Sequence, residues 1–369
     1  MRLVIFTHSL ISDWNHGNAH FLRGVATELV CAGHEVRILE PRDGWSLQNL
    51  TAEHGTSPIA AFERAYPIIR SASYDLATLD LDAELDGADA VIVHEWNSHE
   101  LVRRVGEHRA AHDYQLYFHD THHRSVTDPR AMAAYDLSNY DGVLAYGGVI
   151  RDLYRERGWA RDAWTWHEAA DTRVFGPQPG APAGDLVWVG NWGDNERTEE
   201  IREFLIEPVK ALQLKAKVYG VRYPRRALDE LAAAGIEYGG WLPNFRVPEV
   251  FGQYRVTVHI PRRPYARALP GIPTIRPFEA MACGIPLVSA PWEDRERLFR
   301  PGRDFLFARD RGEMIEQLRA VLSDPELAGS LAASGLETIR TNHTCAHRMQ
   351  ELMEIAGRNR ENAHRVLCV

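Results

Sequence analysis

The sequence predicts an α/β protein made of two Rossmann-like, doubly wound domains. Three observations carry that expectation: the length, an alternation of short apolar runs with helical patterns, and one aperiodic Pro/Gly stretch near the middle. At 369 residues the chain is too long for one ordinary core and comfortable for two. Residues 3–6 read as a buried strand. Phe21, Leu22, Val25, Ala26, Leu29 and Val30 then recur at helical spacing, and Gly33 stops that helix. Residues 36–39 form the next expected strand, and the cycle repeats at 90–93, 115–118 and 142–145. Strands separated by helices imply parallel βαβ units.

Periodicity breaks from Phe175-Gly176-Pro177 through Gly184, as in an interdomain linker. It restarts with expected strands at 186–189, 216–219, 236–238, 256–260, 286–288 and 305–307. Helices are expected at 198–212 and 275–283, and the chain is helical from Arg311. The expected organisation is therefore 1–175, 185–345 and a helical tail over 346–369. In doubly wound sheets ligands lie at the carboxyl ends of the strands, beside helix N-termini. Two such domains facing a central cleft suit an enzyme that joins two substrates.

Composition narrows the class. Hydrophobic residues make up 45% and charged residues 25% of the chain, the balance of a globular protein. A formal net charge of −9 argues against general nucleic-acid binding while leaving room for a local basic site. The four cysteines (Cys31, Cys283, Cys345, Cys368) show no CxxC spacing, which speaks against a disulfide framework or a structural zinc site. Met1-Arg2 leads directly into 3–6 without the pattern of a signal peptide, and no run approaches the ~20 apolar residues of a membrane span. The expectation is a cytoplasmic protein without stable membrane insertion; a homodimer stays open. Arg358, Arg360 and Arg365 read as a solvated helix face.

The most informative segment runs from Leu269 to Ser289. It reads as a helix beginning near Thr274, stopped at Gly284 and followed by a strand. Thr274 is the candidate cap, Ile275 opens the helix, and Pro277 fits its first turn. Arg276 and Glu279, three residues apart, share a face near the positive end of the helix. A diphosphate takes backbone N–H groups and an Arg, while a ribose takes a carboxylate that accepts from its hydroxyls.

The run Phe278-Glu279-Ala280-Met281-Ala282-Cys283-Gly284-Ile285-Pro286 resembles the donor-site signature of glycosyltransferase group 1, a Glu-Ala-(Met/Leu)-Ala-Cys-Gly-x-Pro helix. The form Arg276-Pro277-Phe278-Glu279-Ala280 resembles the branch of CgeB-like spore-maturation glycosyltransferases. Looser landmarks are Val93-His94-Glu95-Trp96-Asn97, Phe118-His119-Asp120 and His167-Glu168-Ala169-Ala170-Asp171. The resemblance implies a GT-B architecture and a hexosyltransferase-like activity with a nucleotide-sugar co-substrate. It further implies ribose binding by Glu279, approach of the Gly190 loop to the phosphates, and no metal or other cofactor. Many members carry a second Glu eight residues before the first. Here that position is Gly271, so sugar recognition is expected to differ, for example through backbone amides, and the stereochemistry stays open.

Charge gathers on the leaving diphosphate as the glycosidic bond breaks, so further cations are needed. Candidates are Arg222, Arg262, Arg263 and Arg197, each set against the alternative of a solvated loop residue. Trp241 and Leu242, after Gly239-Gly240, are candidates to receive the base, with Trp241 as a core residue the alternative.

In the first half, the turn from His8 to Asn18 is long. Gly17 would let backbone approach a ligand, Asn18 is a candidate cap, and His8 and Gly17 are acceptor-side candidates. No GxGxxG occurs, which argues against a bound dinucleotide. His94 and His99 are five apart and point to different helix faces, so they do not form a zincin motif; His94 stands as an acceptor-side candidate. His119 and Asp120 follow a strand and are candidates to position or deprotonate an acceptor hydroxyl, with metal ligation and capping as alternatives. Asp80-Leu81-Asp82 is a literal DxD inside an alternating apolar–acidic stretch, read as a solvated face.

The expected function is transfer of a sugar from a nucleotide-sugar donor, UDP-sugar first and GDP-sugar second, to an unidentified acceptor. Epimerisation or hydrolysis of the donor, and non-catalytic nucleotide-sugar binding, are the alternatives.

Overall fold

The computed structural model describes residues 1–181 and 183–367, with 360–367 as helix only. Pro182 of the expected linker, Cys368, and the side chains of Arg360 and Arg365 lie outside the described residues.

Contacts divide the chain into two compact units, 1–168 with 345–369 and 169–344. The first holds strands β1 (Arg2–Phe6), β2 (Glu35–Pro41), β3 (Ser71–Tyr74), β4 (Ala90–His94), β5 (Gln115–Asp120), β6 (Gly142–Ala145) and β7 (Ala163–Thr165). They pair in parallel in the order β3-β2-β1-β4-β5-β6-β7. Every residue of β4 and β5 is buried, because helices cover both faces of the sheet.

The second unit holds β8 (Gly184–Val189), β9 (Ala216–Tyr219), β10 (Glu237–Tyr238), β11 (Tyr254–His259), β12 (Leu287–Ser289) and β13 (Leu306–Phe307). These are parallel in the order β10-β9-β8-β11-β12-β13. In each unit the order reverses beside the first strand, between β1 and β4 and between β8 and β11. Such switch points open a crevice at the carboxyl ends of the strands.

Three expectations need correction. The division falls at 168/169 rather than in the 175–185 stretch, since Ala170 N already donates to His343 O at 2.9 Å within the second unit. The expected helical tail is helical through residue 367, but it does not stand apart as a third segment: the Cys345–Leu367 helix packs on the Ala19–Cys31 helix of the first unit. Trp166 Nε1 donates to Arg348 O at 2.8 Å, and Gln115 Nε2 to Ala356 O at 2.7 Å. The expected helix 198–212 is interrupted by a widened turn over Arg202–Ile206. Pro208 has no N–H to offer the carbonyl four residues back, and the looser turn ahead of it takes up that mismatch.

Candidate active site

The Ile275–Ala282 helix begins beside the second switch point. Thr274 occupies its N-cap position without a side-chain cap. Its hydroxyl instead meets His259 Nε2 at 3.2 Å, while His259 Nδ1 meets Ser289 Oγ at 2.9 Å. Ser289 Oγ donates to Ala290 O at 2.8 Å, so it accepts from Nδ1–H and Nε2 accepts from Thr274. Burial lowers the His259 pKa to about 3, and Arg197 pushes it the same way, which keeps the ring neutral. The capping role expected of Thr274 is thus replaced by a link to β11. The helix start keeps its backbone N–H groups free of side-chain caps, the arrangement that receives anions.

Glu279 is fully buried, and each oxygen has its own donor: Asn244 Nδ2 reaches Oε1 at 2.6 Å, and Arg276 pairs with Oε2. Arg197 is sealed against the Trp188 ring, with its guanidinium carbon 5.1 Å from the centroid. It donates to Asn191 O at 2.6 Å and Ile260 O at 2.9 Å, the carbonyls just past β8 and β11. Burial lowers its pKa to about 9, with Arg262 and Arg276 pushing in the same direction. Arg262 and Arg276 are themselves paired with Glu196 and Glu279, so Arg197 is the member of this group held by backbone carbonyls.

The other expected residues are distributed as follows. Arg262 forms a 2.9 Å ion pair with Glu196, and Arg222, at φ +61, one of the same length with Asp194. Arg263 pairs with Glu200 at 2.9 Å and lines a separate cavity of about 530 Å³ with Phe204, Arg267 and Trp292. Gly190 lies beyond β8, where a Cβ would meet Trp188 at 2.6 Å. Gly271 sits at φ +100, Ile275 is buried, and Trp241 and Leu242 are half-buried in the loop that delivers Asn244.

At the switch point of the first unit, His8 follows β1, His94 ends β4, and His119-Asp120 ends β5. The rings of His8 and His16 are 3.9 Å apart between centroids, and His94 is 5.5 Å from His8 and 5.4 Å from His119. Burial lowers the pKa of His8 to about 4 and of His119 to about 3, and moves His16 and His94 well below 6.5. Arg23, buried with Asp13 at 2.9 Å, donates to Leu10 O and Ile11 O and braces the 8–18 loop. Gly17 is half-buried in that loop. Asn18 does not cap its helix; its Nδ2 donates to Glu168 Oε1 at 2.9 Å.

His119 and Asp120 are placed differently from expectation. His119 is fully buried against Phe21, Trp166 and His94. Asp120 is held by Tyr154 Oη at 2.9 Å and His122 N at 3.1 Å, and burial raises its pKa to about 6. Buried Glu95 beside it is also raised, by desolvation and then by Asp120. The open part of this end is Trp96, 43% exposed, whose ring lies 5.0 Å from His122 and 6.2 Å from His8. His94 and His99 diverge, the latter meeting Ala131 O at 2.8 Å.

Residues 197–354 match the protein family described as "Glycosyl transferase-like". A search of curated proteins found no match. Over nearly its whole length the chain is similar to three solved structures. Anabaena Alr3699/HepE, in complex with UDP and glucose, superposes at TM-score 0.69 with 12% identity, covering 97% of this chain and 99% of that one. Sucrose-phosphate synthase from Thermosynechococcus elongatus gives 0.66 and 12%, covering 98% and 100%. The T4 phage BGT in complex with its UDP-glucose substrate gives 0.61 and 13%, covering 96% and 99%.

The chain has the GT-B glycosyltransferase fold.

Within the GT-B frame, the structure brings Arg276, Glu279, Arg262 and Gly190 to the switch-point end of the second sheet, and adds Asn244 and His259. Sequence reasoning missed Asn244 because it lies 35 positions before Glu279 in an aperiodic loop. His259 had a signal: it is the last residue of a strand, where GT-B sites are built. Among the described residues no helix is long and apolar enough to cross a membrane.

Proposed function

We propose that this chain transfers a sugar from a nucleotide-sugar donor, a UDP-sugar first, to an acceptor hydroxyl, using no metal at the diphosphate. The observation that carries the reading is the pairing of Arg276 with buried Glu279 at an uncapped helix start, with Asn244 orienting the carboxylate. In this reading Glu279 accepts from the ribose hydroxyls. Arg276 and the N–H groups of the helix start stabilise the departing nucleoside diphosphate, with Arg262 behind them. Trp241 and Leu242 border the base, and backbone near Gly271 meets the sugar. The acceptor belongs to the His8, Trp96 and His122 face of the first unit, where His8 is the candidate to take the hydroxyl proton once substrate displaces its apolar surroundings. His94 packs behind it, and His119 and Asp120 support this face from the core. The Arg-x-Phe-Glu-Ala form of the motif favours the CgeB-like branch.

The test is release of UDP from UDP-sugars with and without a pool of acceptors. Wild type should turn over with an acceptor, and Arg276→Ala should lower kcat by about 10²-fold or more. Equal UDP release without acceptor would indicate a hydrolase and contradict the transfer reading.

A further inference from the structure

The cavity bordered by Arg263 lies wholly within the second unit, at the carboxyl ends of three neighbouring strands. Pro261 follows β11, Ala290-Pro291-Trp292 follows β12, and Phe307 ends β13. That is the end at which a doubly wound sheet takes its ligands. The donor helix has no part in it. The wall comes instead from the 198–212 segment, which packs on the Arg311–Ser323 helix, whereas the donor helix packs on Pro325–Asn342. At about 530 Å³ the cavity falls within the range of roughly 300–1,000 Å³ usual for small-molecule sites.

Two widened turns shape this space. The Arg202–Ile206 turn ahead of Pro208 brings Glu203 and Phe204 to it. The Pro264–Ala268 turn, closed by Leu269 N donating to Pro264 O at 3.1 Å, brings Ala266 and Arg267. Both π-type turns of the described residues thus border one cavity. Such turns have poorer hydrogen-bond geometry than an α-helix and recur at functional sites.

The floor is apolar and fixed. The Trp292 ring is backed by Phe305, with centroids 6.3 Å apart and planes at 26°, and His259 and Phe299 meet it edge-on at 6.0 and 6.5 Å. Buried Phe204 and half-buried Phe307 add to that surface. The rim is charged but balanced, with Arg263, Arg267 and Arg309 set against Glu200, Glu203 and Glu293. Arg263 pairs with Glu200 at 2.9 Å, Glu293 with Arg295 at 3.1 Å, and Arg309 with Glu313. Equal numbers of opposite charges leave no net field to draw in an ion, so the rim selects neither a phosphate nor a cation. It offers N–H donors beside carboxylate acceptors, and a hydroxyl group, which both donates and accepts, uses the two together. A sugar ring carries hydroxyls around its edge and C–H groups on its faces, which match this rim and this floor.

We propose that the cavity binds a neutral saccharide ring, at a site apart from the donor nucleotide and from the His8 face of the first unit. Trp292 and Phe204 take the C–H face, and exposed Glu203 and Arg267 hold hydroxyls at the rim.

The test is saturation-transfer NMR on the full-length chain with glucose, galactose, mannose and N-acetylglucosamine, against glucose 6-phosphate and glucuronate. Each is added at about 10 mM, ten times a millimolar dissociation constant. At least one neutral sugar should receive saturation, most strongly at its ring C–H protons, and saturating UDP should leave that signal unchanged. Trp292→Leu should weaken binding by about tenfold. The Glu203→Ala/Arg267→Ala double variant changes exposed side chains alone, so its melting curve should match wild type while the sugar signal is lost. A signal abolished by UDP would place the sugar in the donor site and overturn the proposal. Absence of transfer to every neutral sugar, stronger transfer to the charged sugars, or an undiminished signal in the double variant overturns it as well.

Discussion

Glu279 is buried, yet it is held by two donors that come from different places, Asn244 from the 239–244 loop and Arg276 from its own helix. A carboxylate gripped in this way keeps one orientation, which a pair of ribose hydroxyls requires. Asn244→Ala removes one donor from a buried acceptor, a loss of about 1–3 kcal/mol in stability. It should also weaken UDP by about tenfold. Melting curves and equilibrium binding check both, and an unchanged UDP affinity would mean that Asn244 does not position the carboxylate. Arg276 and Glu279 were legible because the motif places them three apart at a helix start. The Asn244 contact was not, since it joins the 239–244 loop to the Ile275–Ala282 helix through tertiary packing alone.

At the scale of elements, the apolar runs mark the central strands, because a strand covered on both faces has no polar side to display. The edge strands β3 and β7 escape that reading: Ser71–Tyr74 has little apolar character, and Ala163–Thr165 is only three residues long. The loops past β8 and β9 are tightly fitted. Gly220 sits at φ +154, and a Cβ there would lie 2.2 Å from Gly190 O, a backbone atom that cannot swing aside. Gly220→Ala should therefore cost roughly 3 kcal/mol through strain and overpacking. Because the displaced atom belongs to the Gly190 loop, nucleotide affinity should fall with it. A melting temperature within a degree of wild type would contradict this fit.

For the molecule as a whole, the buried histidines decide how it responds to acid. His8, His16, His94, His119 and His259 all have pKa values lowered below 6.5 by burial. Each is neutral when folded and protonated when unfolded below pH 6.5, so its stability is present above that pH and drains away as the pH falls through 4. Asp120, raised to about 6, works in the opposite sense: its contribution is full below about pH 4 and is lost as the pH rises through 6, and Glu95 is shifted in the same direction. The histidines outnumber them. Stability should fall between pH 6.5 and 5 by about 1.4 kcal/mol per pH unit for each net proton taken up on unfolding. Denaturant melts across that range test this, and a protein more stable at pH 5 than at pH 7 would contradict it.

The donor site is the centre of the account, and one measurement tests it most directly: a thermal-shift panel of UDP, GDP, ADP, dTDP and UDP-sugars on wild type and Glu279→Ala. A nucleotide at ~100 times its dissociation constant stabilises the fold by about 2.7 kcal/mol. Wild type should shift upward with UDP and UDP-sugars, and Glu279→Ala should lose that shift while still folding. No shift with any nucleotide, or an equal shift in the variant, would contradict the assignment of the Ile275–Ala282 helix as the donor site.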